Sequence, residues 1–136
     1  MKLFFFTILI GISQVAMASD CRKDLLKEGW GIGYSSYCQG VEPKCARLLM
    51  DRRFGPSDLP YCRGVEPECA KSVIEKGWEP HYLSYCQGVN SVCAKEMIKK
   101  EITPSYLSYC KGVDSSCAKA VIRKGRNLLD LQYCQN

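Results

Sequence analysis

The chain has 136 residues, ten of them cysteine, and sets 19 Lys+Arg against 14 Asp+Glu for a formal net charge of +5. That fits one modest domain or a short repeat array. No apolar run is long enough for a bilayer span, an even cysteine count points to disulfides rather than a cytosolic metal cluster, and the ordered patterning excludes a disordered chain.

The first segment, 1–18, reads as a Sec-type signal peptide. Lys2 is its charged start, Leu3 to Ile12 its apolar stretch, and Ala16-Met17-Ala18 a small-x-small cleavage site. Asp20 before Cys21 does not make a lipoprotein cleavage box. Cleavage after Ala18 leaves a cysteine-rich domain, 19–136, and predicts a secreted or periplasmic protein.

Within that domain the cysteines stand at 21, 38, 45, 62, 69, 86, 93, 110, 117 and 134, with separations that alternate 17 and 7 to the end. The period is 24 residues, and units begin at Cys21, Cys45, Cys69, Cys93 and Cys117. Such self-similarity marks a stacked array in which each unit buries its apolar face against its neighbours.

Each unit carries helical punctuation. Glu42-Pro43, Glu66-Pro67, Asn90-Ser91 and Asp114-Ser115 place an N-cap, twice with proline after it, before a helix A. Its apolar positions follow helical spacing, as in Cys93, Ala94, Met97 and Ile98. Gly29, Gly77 and Gly125 close it in the left-handed conformation. Pro56, Pro80 and Pro104 then open a helix B that carries Tyr82, Leu83, Tyr85 and Cys86 in one unit and Tyr106, Leu107, Tyr109 and Cys110 in the next. It ends before Gly40, Gly64, Gly88 or Gly112, each followed by a valine. Two helices of roughly eight to ten residues fit the period, and the fold class is all-α: a short α-solenoid of five disulfide-bridged helical hairpins.

Two local cysteine pairings are open, at 17 within a unit or at 7 across a boundary. Pairing at 7 strands Cys21 and Cys134, whereas pairing at 17 gives five complete bridges: Cys21–Cys38, Cys45–Cys62, Cys69–Cys86, Cys93–Cys110 and Cys117–Cys134. An antiparallel hairpin brings such residues within bridging range, and phase favours this set. There is no C-x-x-C, C-x-x-C-H or zinc-knuckle spacing, so no metal or cofactor is expected.

All eight tyrosines occupy two places in the unit. Tyr37, Tyr61, Tyr85, Tyr109 and Tyr133 precede the second cysteine and are expected to pack between units. Tyr34, Tyr82 and Tyr106 lie three residues earlier, on the same helix face, and vary between units, which suits a binding surface; a tyrosine ladder can stack on a sugar, a peptide or exposed bases. A basic row, Lys23, Arg47, Lys71, Lys95 and Lys119, recurs two residues after each first cysteine and reads as a solvated helix face or a stripe for an anionic polymer. Trp30 and Trp78 share an apolar packing position with Phe54 and Ile102, which Arg126 breaks in the last unit. His81 is the only histidine and stands at a variable position; Asp24, Asp51, Glu75, Glu96 and Glu101 form no catalytic pair. No catalytic residue is assigned.

In architecture the chain is similar to secreted cysteine-rich bacterial proteins that stack disulfide-bridged helical pairs on a longer, glycine- and alanine-patterned repeat. The resemblance is to the scaffold, and no residue or activity is carried over. The Leu-x-x-Leu-x-Leu pattern of leucine-rich repeats is absent.

The function expected is that of a binding or interaction module for a protein or peptide partner, through Tyr34, Tyr82 and Tyr106 with Lys71, Lys95 and Lys119. An anionic polymer is the second candidate partner, and nucleic acid is disfavoured. The alternatives are a secreted hydrolase of cell-wall or antibiotic-type substrates, suggested by the scaffold resemblance, and a thiol- or metal-handling protein, which would need free thiols.

Overall fold

A computed structural model describes residues 20–135. The expected signal peptide and its cleavage site lie outside them. The chain is all-α, a short helical solenoid of five hairpins, and it divides into two compact units, one ending at Arg63 and one beginning at Gly64.

The first unit holds helix α1, described over 20–27, a 3-10 helix η1 (Ile32–Cys38), α2 (Pro43–Asp51) and η2 (Pro56–Cys62). The second repeats the pattern three times: α3 (Pro67–Glu75) with η3 (Pro80–Cys86), α4 (Ser91–Lys99) with η4 (Pro104–Cys110), and α5 (Ser115–Arg123) with η5 (Leu128–Cys134). Within the second unit α3 packs on α4 and α4 on α5, while η3 packs on η4 and η4 on η5. Each unit therefore has an α-helical row and a 3-10 row.

The α-helices begin where the caps predict. Glu42 accepts from the Cys45 amide at 2.6 Å, Glu66 from Cys69 at 2.6 Å, Asn90 from Cys93 at 3.1 Å and Asp114 from Cys117 at 2.8 Å. The backbone amide of each cap residue also donates to the carbonyl of the second cysteine: Glu42 to Cys62 (3.0 Å), Glu66 to Cys86 (2.9 Å), Asn90 to Cys110 (2.8 Å) and Asp114 to Cys134 (2.7 Å). One residue thus grips both halves of its own disulfide. Just outside it, single antiparallel β-bridges join the hairpin's two ends, Val41 with Arg63, Val65 with Gln87, Val89 with Lys111 and Val113 with Gln135.

All five disulfides pair at a separation of 17, with Cα–Cα distances of 5.5 to 5.7 Å, and all ten cysteines are bridged. The bridges are the ones that phase favours. Between one clasped hairpin and the next stands a single glycine at positive φ, for example Gly88 at 65°. Nothing lies within 4 Å of the site of a Cβ there, so its backbone angle, not space, selects glycine.

All five α-helices end in a Schellman motif. In α3 the Trp78 amide donates to the Val73 carbonyl and the Gly77 amide to Ile74. Gly29 and Gly125 do the same, but the second and fourth hairpins put Arg53 (φ 63°) and Glu101 (φ 59°) at that left-handed position.

The core is a stripe from each row. Cys69, Ala70, Val73 and Ile74 of α3, and their equivalents in α2 and α4, are buried at helical spacing; the 3-10 row adds Leu59, Leu83, Leu107 and Leu131, at most 1 % exposed.

The second element of each hairpin departs from the expectation of an eight- to ten-residue α-helix. It is a seven-residue 3-10 helix, and the pattern explains why. At three residues per turn, positions i, i+3 and i+6 eclipse, so Pro104, Leu107 and Cys110 form one buried face. Ser105 and Ser108 form a second, where the Ser108 hydroxyl donates to the Ser105 carbonyl at 3.2 Å. Tyr106 and Tyr109 form the third. The prism has one apolar, one hydroxyl and one aromatic face.

Candidate functional site: the tyrosine face

Eclipsed positions on a 3-10 helix put two aromatic rings nearly parallel. Tyr34 and Tyr37 stack with centroids 6.2 Å apart and planes at 23°, Tyr82 and Tyr85 at 6.4 Å and 26°, Tyr106 and Tyr109 at 5.9 Å and 16°. The Schellman residue extends two of these stacks. Trp30 meets Tyr34 edge-on at 5.8 Å, and Trp78 meets Tyr82 at 6.4 Å. Reading the tryptophans as packing residues alone misses this; the signal was the fixed four-residue spacing from tryptophan to tyrosine.

The five tyrosines next to the second cysteine stand outside the core, at its rim or beyond it. Tyr37, Tyr61, Tyr109 and Tyr133 are exposed, Tyr133 to 78 %, and Tyr85 is half-buried. Leucine fills the core instead, one position further round the three-residue turn. Both tyrosine positions therefore share one face of the 3-10 row.

In the second unit this face opens into a groove of about 340 Å³ lined by Tyr106, Tyr109, Asn127, Leu128 and Leu129. One wall is the η4 tyrosine pair and the other the start of η5. Asn127 spends its Oδ1 on the Leu129 amide at 3.0 Å, which leaves its NH₂ as a donor. The tyrosine hydroxyls meet no protein partner among the described residues.

Lys71, Lys95 and Lys119 lie on the α-helical row. Lys71 sits 3.9 Å from Glu75. Lys95 lines a separate groove of about 370 Å³ with Ser72, Glu75, Lys76, Ile98 and Lys99. Lys119 adds its charge to the forces that keep Glu96 ionised. The two grooves share no residue, so the second unit's tyrosines and lysines expected to act together are not gathered into one pocket.

The acidic residues serve the scaffold. Arg47 donates to Asp24 through Nε and Nη2 at 3.2 and 3.1 Å, Lys76 reaches Glu101 at 2.6 Å, and Arg123 reaches Glu96 through two nitrogens at 3.3 and 3.0 Å. The Arg123 hydrogen bond holds the Glu96 carboxyl below the usual carboxylate range, with Arg123, Lys119 and Lys99 charges adding to it. The Lys76 hydrogen bond does the same for Glu101.

His81 sets Nδ1 3.2 Å from Glu79 Oε2 and its ring 3.9 Å from that of Tyr82. It belongs to the aromatic stack of its hairpin. No cluster of three or more His, Cys, Asp or Glu side chains is arranged for a metal among the described residues, and no helix there is long and apolar enough to cross a membrane.

Fold and site together define a class: a disulfide-stapled helical-repeat scaffold that displays paired aromatic side chains, with bridges that form and persist in an oxidising environment. Comparison with known proteins finds no family model, no curated relative and no solved structure that matches the chain.

Proposed function

We propose that this is an exported binding module that takes a protein or peptide partner on its tyrosine face. The observation that carries the reading is three stacked tyrosine pairs held on disulfide-bridged 3-10 helices, Tyr34–Tyr37 and Tyr106–Tyr109 exposed and Tyr82–Tyr85 half-buried. Tyrosine gives large, amphipathic contact area with few rotatable bonds, which suits recognition. The scaffold fixes the rings in advance, so little ordering entropy is lost on binding. The lysines of the α-helical row act at longer range, steering a partner that carries acidic residues outside the segment bound on the tyrosine face.

A peptide-display selection on the disulfide-intact protein tests this. Sequences enriched on the wild type should be lost on a Tyr34→Ala, Tyr82→Ala, Tyr106→Ala triple variant whose helicity is unchanged. Enrichment that survives in that variant removes the tyrosine face from the function. Lys71→Gln, Lys95→Gln and Lys119→Gln together should slow association and flatten its salt dependence while leaving dissociation unchanged.

A further inference from the structure

Resting on the peptide-binding reading, we infer that the ligand of the second unit's tyrosine face is a neutral, proline-rich segment in the polyproline II conformation, taken up at three residues per hairpin. Three observations carry this. The first is charge: η3, η4 and η5 contain no lysine or arginine and a single carboxylate, Asp130, whereas the basic residues of this unit stand on the α-helices, at their C-terminal caps or, for Lys111 and Arg126, on the segments next to the 3-10 helices. A face so low in charge suits a neutral chain.

The second is hydrogen-bond polarity. The η4–η5 groove offers three donors, the Tyr106 and Tyr109 hydroxyls, which also accept, and the Asn127 NH₂, while the Asn127 carbonyl oxygen is already used by Leu129. A proline-rich backbone has lost its N–H groups and presents carbonyls alone. Polyproline II makes no internal hydrogen bonds, so those carbonyls are free to accept. Aromatic-lined grooves are the general recognition mode for such segments.

The third is period. Polyproline II has three residues per turn at about 3.1 Å each, roughly 9 Å per turn. Packed helices stand about 8–10 Å apart, and η3 packs directly on η4 and η4 on η5. Each turn of ligand therefore meets one hairpin: the Tyr82–Tyr85 pair, then Tyr106–Tyr109 with Leu129 across the groove, then Tyr133, whose face partner in η5 is Asp130.

The test is fluorescence anisotropy on the full, disulfide-intact chain with labelled neutral peptides of repeated Pro-Pro-Ser, in one-, two- and three-turn lengths. Gly-Gly-Ser repeats of equal length and chitohexaose, as competitor, run alongside. The inference predicts binding of the proline series, a step in affinity for each added three residues, and a loss of at least about tenfold in Tyr106→Ala. Tyr109→Phe, which removes only a hydroxyl, should lose several-fold.

Equal binding of the Gly-Gly-Ser peptides, or selection of peptides without proline, overturns the conformation inferred here and leaves the peptide-binding reading standing. Binding of chitohexaose without any peptide overturns both. Silence of every proline peptide, or a tyrosine-dependent self-association that excludes them, overturns the inference.

Discussion

Arg53 and Glu101 occupy a backbone conformation that the first, third and fifth hairpins give to glycine. A left-handed angle costs a residue with a Cβ about 1–2 kcal/mol. Glu101 draws return from its ion pair with Lys76; Arg53 makes no side-chain interaction among the described residues. Arg53→Gly is therefore expected to raise stability by about 1 kcal/mol, less the extra entropy glycine brings to the unfolded chain. Urea titration measures it, and an unchanged or lowered midpoint contradicts the assignment. Asn90 shows the opposite economy. Its oxygen caps α4, while its NH₂ reaches the Val113 carbonyl at 3.2 Å and the Ser115 hydroxyl at 2.9 Å in the next hairpin. Asn90→Ala should cost about 1–2 kcal/mol, more than loss of the exposed Asp114 cap, and hydrogen exchange should quicken in α4 and around Val113.

At the scale of the element, a short α-helix and a shorter 3-10 helix are each marginal in water, and the bridge between them closes a loop that contributes about 3 kcal/mol in the chain-entropy model. Replacing Cys93 and Cys110 by alanine together should lower stability by about that amount, with loss of protection concentrated in α4 and η4. In the second unit, the Arg123–Glu96 and Lys76–Glu101 pairs hold their carboxyls below the usual carboxylate range. The unfolded chain binds protons to Glu96 and Glu101 at a higher pH than the folded one, so their contribution is present above the ordinary carboxylate range and fades as pH falls through the lowered folded values. Between about pH 5 and about pH 3 the wild type should therefore lose stability faster than Arg123→Gln; parallel loss would show that the pair contributes nothing.

The period, the caps and the bridge pairing are all legible in the sequence, because each rests on residues at a fixed offset: Cys at 17 in all five hairpins, the cap three before the first cysteine in the last four, glycine two after the second in the first four. The 3-10 geometry is not legible by counting apolar positions alone. Across seven residues, a three-residue spacing such as Tyr106 to Tyr109 satisfies an α-helical face as well, and only the third buried member, Pro104, separates the two periods. For the same reason the tyrosine beside each cysteine looks like core in a 3.6-residue helix and lies outside the buried face in a three-residue one.

For the whole molecule, the hairpin is the unit of construction. Each of the four from α2 onward closes on itself three times, by disulfide, by the cap residue's amide and by a β-bridge, and the first three of them are followed by one left-handed glycine, Gly64, Gly88 or Gly112. The paired tyrosines stand on the 3-10 row, and Lys71, Lys95 and Lys119 on the α-helical row. Complete reduction should remove most of the far-ultraviolet helical signal at room temperature, since no single hairpin has a core that outweighs its chain entropy.

The claim beneath all of this is that every bridge is local to its hairpin. Peptide mapping by mass spectrometry of the protein recovered without reductant, with free thiols alkylated under denaturing conditions, tests it most directly. Five linked peptide pairs, each joining cysteines 17 apart, is the result predicted. A bridge across seven residues, a bridge between hairpins or an alkylated cysteine would contradict it and take the tyrosine face, as described, with it.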